Sequence, residues 1–297
     1  MKRLKHILIK YPPAFLLLVS VLSLFSCHAF TEDCHYMGGV AVRMDWSDLG
    51  PVPRPDSLVA LFFHPGYGPE IRTLRGDTVY DSITAGETTM LLLNVPPGLD
   101  LHTGDSPGES TLTLPTHFEG SLRVSDGCPP VCVWRDGFMV PVEDIIHRTA
   151  VPRPLTKLII LKAYIVREGV TADVDTCLAS LSGISTVYNL GTGEASQNDA
   201  TVRIRLRQAA QEEEHTDTFT GSFHVPGVKG ENPNRFSVYL VLEDGETRRA
   251  ELDLTRELST FTEDIFTASI RITITALGMD ISVGSWSQGS SGEIIIQ

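Results

Sequence analysis

Positive charge is scarce in this 297-residue chain: 24 Lys and Arg stand against 37 Asp and Glu, for a net charge of −13. An acidic chain is a poor ligand for phosphate backbones, so nucleic acid is excluded as the expected partner. Only one long apolar run is present, which excludes a polytopic membrane protein. Charged residues make up 21% and hydrophobic residues 42%. That balance is too apolar for an intrinsically disordered chain and ordinary for a folded one. Helical periodicity is almost missing. Nucleotide and protease signatures are missing too, with no Walker loop and no HExxH. Gly191-Thr192-Gly193 lacks the third glycine of a dinucleotide fingerprint. Gly289-Ser290-Ser291-Gly292 does not fit the spacing of a nucleophile elbow.

Metal-ligand spacing is equally poor. Asp173 and Asp175 flank a valine, but the glycine and terminal glutamate of a calcium loop are lacking. Cys128-Pro129-Pro130-Val131-Cys132 is not CxxC, and no second pair follows it. Glu212-Glu213-Glu214-His215 reads as a solvated charge run. The nine histidines are scattered. No cofactor is expected, and an enzyme is not the expected function.

The N-terminus carries an address. Lys2, Arg3, Lys5 and Lys10 precede an apolar run from Ala14 to Phe25. That run is too short to cross a bilayer, which takes about 20 residues, and it reads as a secretory signal over residues 1–26. It ends in Leu24-Phe25-Ser26-Cys27, which resembles the lipobox of bacterial lipoproteins. The resemblance implies cleavage before Cys27 and lipid on its thiol, because a thiolate is the nucleophile that accepts it. Acyl chains anchor at ~0.8 kcal/mol per buried CH₂. With Cys27 so used, Cys34, Cys128, Cys132 and Cys177 remain. They allow three pairings, and spacing does not choose among them.

What the remainder does have is alternation with period two. Val40, Val42, Met44 and Trp46 alternate with polar or small residues. So do Val202, Ile204 and Leu206 with Arg203, Arg205 and Arg207, and Ala268, Ile270, Ile272 and Ile274 with Ser269, Arg271, Thr273 and Thr275. Successive strand side chains point to opposite faces, so these are half-buried strands. Asp126-Gly127, Asp136-Gly137 and Asp244-Gly245 are read as turns. The last predicts a hairpin of Arg235–Glu243 and Glu246–Thr255. A short helix is expected over Thr255 to Phe261, capped by Thr255. Trp46, Trp134 and Trp286 are expected to pack on sheets. His64-Pro65-Gly66-Tyr67-Gly68 is expected to be a tight turn after a strand at Ser57–Phe63. Together these predict an all-β chain of sandwiches. Val151-Pro152-Arg153-Pro154 suggests a boundary, giving sandwich domains over 27–150 and 151–297.

Three further strings give the chain a family likeness. One is the early strand Gly39 to Trp46 behind the lipobox cysteine. Another is Pro154 to Leu161, followed by Ala179-Ser180-Leu181-Ser182-Gly183-Ile184-Ser185 and Val187 to Leu190. The third is the ending, Ile281 to Trp286 and then Glu293 to Gln297. In these the chain resembles the FimB-like fimbrial anchor lipoproteins of Bacteroidota-type (type V) pili. The resemblance implies two tandem transthyretin-like Greek-key β-sandwich domains after the signal peptide. It implies a non-enzymatic subunit, lipid-anchored at the outer membrane and exposed at the cell surface. Such a subunit holds or regulates a fimbrium, with other fimbrial subunits as partners. The mechanism implied is β-strand exchange, in which a donated strand covers unpaired backbone and apolar positions. The alternation Met279, Ile281, Val283 would suit such a strand, and equally a terminal strand of its own sheet. The four remaining cysteines belong to no pattern of that family. The alternative function is a surface lipoprotein that binds glycan or a host ligand through sandwich loops, His64 to Gly68 or Asp126 to Phe138.

Overall fold

Alternating sequences bury one face only if a second layer covers it, and this chain supplies that layer twice. The computed structural model describes residues 36–50, 52–196, 199–209, 216–228 and 233–289. The first part runs β1 (Met37–Met44), β2 (Leu58–Phe63), β3 (Glu70–Leu74), β4 (Thr78–Thr84), β5 (Gly86–Leu93), β6 (Asp100–His102), β7 (Thr111–Thr113), β8 (His117–Glu119), β9 (Leu122–Ser125), β10 (Cys132–Val140), β11 (Ile145–Ala150) and β12 (Arg153–Pro154). It continues with β13 (Lys157–Glu168), β14 (Val174–Ile184), β15 (Val187–Asn189), β16 (Ala195–Ser196), β17 (Ala200–Gln208), β18 (Thr216–Val225), β19 (Arg235–Leu242) and β20 (Thr247–Asp253). A short helix α1 (Thr255–Ser259) leads to β21 (Ile265–Thr275) and β22 (Gly278–Gly289). The all-β expectation holds.

In the first half a three-stranded sheet, β11-β1-β4, faces a five-stranded one, β12-β10-β5-β2-β3. Val40, Val42, Ile83, Ala60, Phe62, Met90 and Leu92 fill the core between them. In the second half the order is β20-β19-β14-β17-β18-β13-β21-β22. The β17–β18 ladder is only two residue pairs long, Arg207 with Thr220 and Gln208 with Phe219. The sheet folds over at this short ladder into two four-stranded layers. Ile159, Leu161, Phe236, Val238, Ile270 and Ile272 lie between them, each essentially without solvent contact.

The two halves repeat one pairing scheme, although the sequence shows no repeat. β1 pairs with β4 antiparallel and with β11 parallel. In the same way β13 pairs with β18 antiparallel and with β21 parallel. Across the core, β3-β2-β5-β10 matches β17-β14-β19-β20. β22 lies outside this scheme, as do β12 and the short strands β6–β9, β15 and β16: it extends the sheet beyond β21, whereas nothing among the described residues pairs with the outer edge of β11.

The five-stranded sheet is covered on both faces. Ala60, Phe62, Met90 and Leu92 face the first core, while Leu61, Phe63, Leu91 and Leu93 face another. This is why β2 and β5 are continuously apolar at their ends rather than alternating. The second cover comes partly from later in the chain, through Leu155 and Leu190 beside Leu112 and Leu114. It includes the sheet β16-β15-β7-β6, in which strands from before and after residue 150 pair. Strand β9 likewise pairs with β17.

Several local expectations are met. β19 and β20 form the hairpin, with Gly245 at φ 85° in its turn. His64 to Gly68 is a turn in which Tyr67 N donates to His64 O at 3.2 Å. Two expectations are corrected. Asp136-Gly137 is not a turn but lies inside β10, opposite Met90 and Thr89. An unbroken ladder from Val133 to Val140 against β5 outweighs the local preference of the dipeptide. The N-cap of α1 is Leu254 rather than Thr255. The Thr255 hydroxyl accepts from Asn234 N at 2.9 Å instead, tying the helix to the start of β19.

Candidate functional site

Chain order and alternation bring β20 and β22 to the same flank of the second sandwich. They are the two ends of the folded-over sheet and lie side by side with no ladder between them. The opposite flank is closed by the β17–β18 hydrogen bonds. Leu252 of β20 and Met279, Ile281 and Val283 of β22 sit half-buried against the core at this open flank. All four side chains keep partial solvent exposure.

β22 is antiparallel to β21 along its length, with Met279 opposite Ile274, Ile281 opposite Ile272 and Val283 opposite Ile270. The three residues thus point inward on a strand of the chain's own sheet. The other edge of β22 has no partner among the described residues. That leaves a row of backbone donors and acceptors able to accept a further strand. Asp280 and Ser282 point outward and are exposed. Trp286 packs on Phe266 with ring centroids 6.0 Å apart, keeping 41% of its surface exposed. Sequence reasoning singled out three of the four flank residues. It missed the role of Leu252, whose alternation was visible but whose neighbour was not.

Other residues singled out above are placed elsewhere. The His64 ring is buried, with Nδ1 3.1 Å from Thr88 Oγ1 and Nε2 3.3 Å from Glu70 Oε1. Burial lowers its pKa, partly offset by the Glu70 carboxylate. Both ring nitrogens face these partners rather than the surface of the loop. The stretch Asp126 to Phe138 is mostly strand β10 rather than an open loop. Trp46 and Trp134 pack against the first core, and the Arg54 guanidinium lies 4.9 Å from the Trp46 ring centre. Asp173 pairs with Arg167. Among the described residues no group of three or more His, Cys, Asp or Glu is placed to hold a metal.

Cys128, Cys132 and Cys177 are buried free thiols, so the pairings among these three are not made. The reason is their distribution: each belongs to a different core cluster. Burial pushes the thiols of Cys128 and Cys177 up to about 12 and that of Cys132 up to about 11. Such thiols are inert. In a Cys27→Ala/Cys34→Ala protein, we expect no reaction with a disulfide reagent at about pH 8, and three equivalents after unfolding in guanidinium. Reaction of any thiol in the native protein would show that its core cluster opens. Residues 1–26, Cys27, Cys34, Glu212 to His215 and Glu293 to Gln297 lie outside the described residues.

No protein-family model and no curated protein matches the chain in sequence. Solved structures do match it in fold. A "putative adhesin" from Bacteroides ovatus superposes with a TM-score of 0.58 at 13% identity, covering 75% of this chain and 85% of that one. A second "putative adhesin", from Bacteroides thetaiotaomicron, gives 0.54 at 9% identity, covering 86% and 99%. The fimbrial anchor protein Mfa2 from Porphyromonas gingivalis gives 0.51 at 13% identity, covering 85% and 99%. At this identity the likeness is one of fold, and in fold the chain is of one kind with that fimbrial anchor protein and those two Bacteroides proteins.

Proposed function

We propose that the chain is a non-enzymatic fimbrial subunit, held at the outer membrane by lipid on Cys27. It holds or regulates a cell-surface fimbrium and joins other fimbrial subunits through strand exchange, using Met279, Ile281 and Val283 of β22. The observation that carries this reading is the position of β22. It is a long strand added beyond the repeated scheme, paired with β21 where the matching β11 has no outer partner among the described residues, and it lies beside β20 with its own outer edge unpaired. Likeness of fold to a fimbrial anchor supports it. So does the lipobox-like Leu24-Phe25-Ser26-Cys27. Among the described residues no helix is long and apolar enough to cross a membrane. We assign the two repeats of the pairing scheme to tandem transthyretin-like domains divided near residue 150, with a shared buried contact. This function needs no cofactor.

The test is Cys27→Ala in cells that make the fibres, with fibres assayed on washed cells and in the medium. Fibres moving to the medium, or growing long and detaching, are the expected result. Unchanged fibre amount, length and attachment, with only the variant protein released, would overturn the anchor role.

A further inference from the structure

Four of the chain's 24 basic residues line one recess on the outer face of the β20-β19-β14-β17 layer. The ladders set the side chains in rows. Arg249, Tyr239, Leu178 and Arg205 stand opposite one another across the four strands. The next row is Glu251, Ser237, Ser180 and Arg203. Arg235 and Ser182 follow beside them. At a strand spacing of about 4.8 Å, the two arginines of the first row start about 14 Å apart. Tyr239 and Leu178 lie between them, each 40% exposed. The recess holds about 620 Å³, a size suited to a bound segment of ligand.

The charge in this recess opposes that of the chain. Its lining carries one acid, Glu251, in a protein of net charge −13. Arg205 has only the Thr176 hydroxyl, at 3.1 Å, and Arg235 has no ion pair among the described residues. Arg203 pairs with Glu119 and Arg249 with Glu251, but all four side chains are well exposed. Exposed pairs of this kind hold weakly and can be exchanged for a ligand anion. The backbone beneath is spent in ladders, so an occupant must be read by side chains alone. What they offer is guanidinium forks for oxyanions, serine hydroxyls for hydroxyl groups, and a flat Tyr–Leu floor for an apolar ring face. A peptide strand would look for an unpaired edge, which this face lacks.

We propose that this face binds a polysaccharide bearing carboxylate or sulfate groups, laid across the strands between Arg249 and Arg205. The site is independent of β22 and of the lipid, so it stands whether or not strand exchange occurs. It is a face of the sheet, distinct from the sandwich loops.

Calorimetric titration of the Cys27→Ala protein with polygalacturonate and with chondroitin sulfate tests it, with neutral dextran and polyglutamate as comparisons. Saturable binding to at least one acidic polysaccharide, and none to dextran, is expected. R205E/R249E should weaken that binding about tenfold or more. Tyr239→Ala keeps the charge and should weaken it by several-fold, whereas Arg271→Glu on the other layer should leave it unchanged. Absence of binding to both polysaccharides would overturn the proposal. So would equal or tighter binding of polyglutamate, which would assign the face to acidic polypeptide. A loss in R205E/R249E no greater than in Arg271→Glu, or no change in Tyr239→Ala, would reduce the effect to general charge and also overturn it. Arg205→Gln provides a milder variant should the double reversal fail to fold.

Discussion

A disulfide that locks β22 to β21 is expected to keep the subunit out of fibres. Arg271 and Ser282 stand directly opposite each other on these strands, and both are exposed. Directly opposed antiparallel residues have Cα atoms about 4.5–5.5 Å apart. That lies within the range a disulfide spans, about 4.4–6.8 Å. The double variant Arg271→Cys/Ser282→Cys should therefore oxidise without moving the backbone, and an exported protein meets the oxidising conditions needed. The three buried thiols do not compete, because burial keeps them protonated. For β22 to leave, the half-buried Met279, Ile281 and Val283 must give up their contacts, and the flank of Ile270, Ile272 and Ile274 must be covered by another strand. A neighbouring subunit with the same alternation repays both terms, since period two fixes which side chains enter the groove. The amount of oxidised variant copurifying with fibres should fall by about tenfold or more, as for loss of one whole binding element. Each single-cysteine variant, and the reduced double variant, should be incorporated like the wild type. Normal incorporation of the oxidised protein would mean that β22 stays home.

Leu91→Ala and Leu92→Ala should each cost about 2–5 kcal/mol of unfolding free energy, although they are adjacent in one strand. In a sheet with one wet face, only one of two neighbours would carry such a cost. Here both are fully buried, Leu92 in the core of the first sandwich and Leu91 in the layer that includes Leu155 and Leu190. Leu178→Ala on the exposed face of β14 provides the contrast, with a cost within about 0.5 kcal/mol. The two large effects should also differ in kind. Leu92 touches residues of the first half only. Leu91 lies in a core to which both halves contribute, so its loss should lower the midpoint for the second half as well. Urea unfolding of the Cys27→Ala protein, followed by fluorescence and circular dichroism, measures both. A cost below about 1 kcal/mol for Leu91→Ala would mean that the second cover is loosely packed.

The sequence by itself determined the local terms. Alternation in Ile159 to Ile165, in Val202 to Leu206 and in Ala268 to Ile274 fixed these segments as strands and fixed which side chains face inward, because successive strand positions point oppositely whatever pairs with them. Asp244-Gly245 fixed a hairpin, since a tight turn brings the two strands that flank it side by side whatever else they pair with. The alternation Met279, Ile281, Val283 was equally plain. Only the tertiary structure decided whose sheet it completes, because the pairing of β22 with β21 and its place beside β20 are contacts between segments. The same holds for Asp136-Gly137, where a ladder with β5 outweighs a turn preference. It holds for Cys128, Cys132 and Cys177, among which local spacing could not choose a pairing and which packing sends to three separate cores. Arg203, Arg205 and Arg207 were readable as one solvent face. That Arg205 stands in a row with Leu178, Tyr239 and Arg249 depends on register across four strands, and register is set by how whole sheets bury their apolar faces.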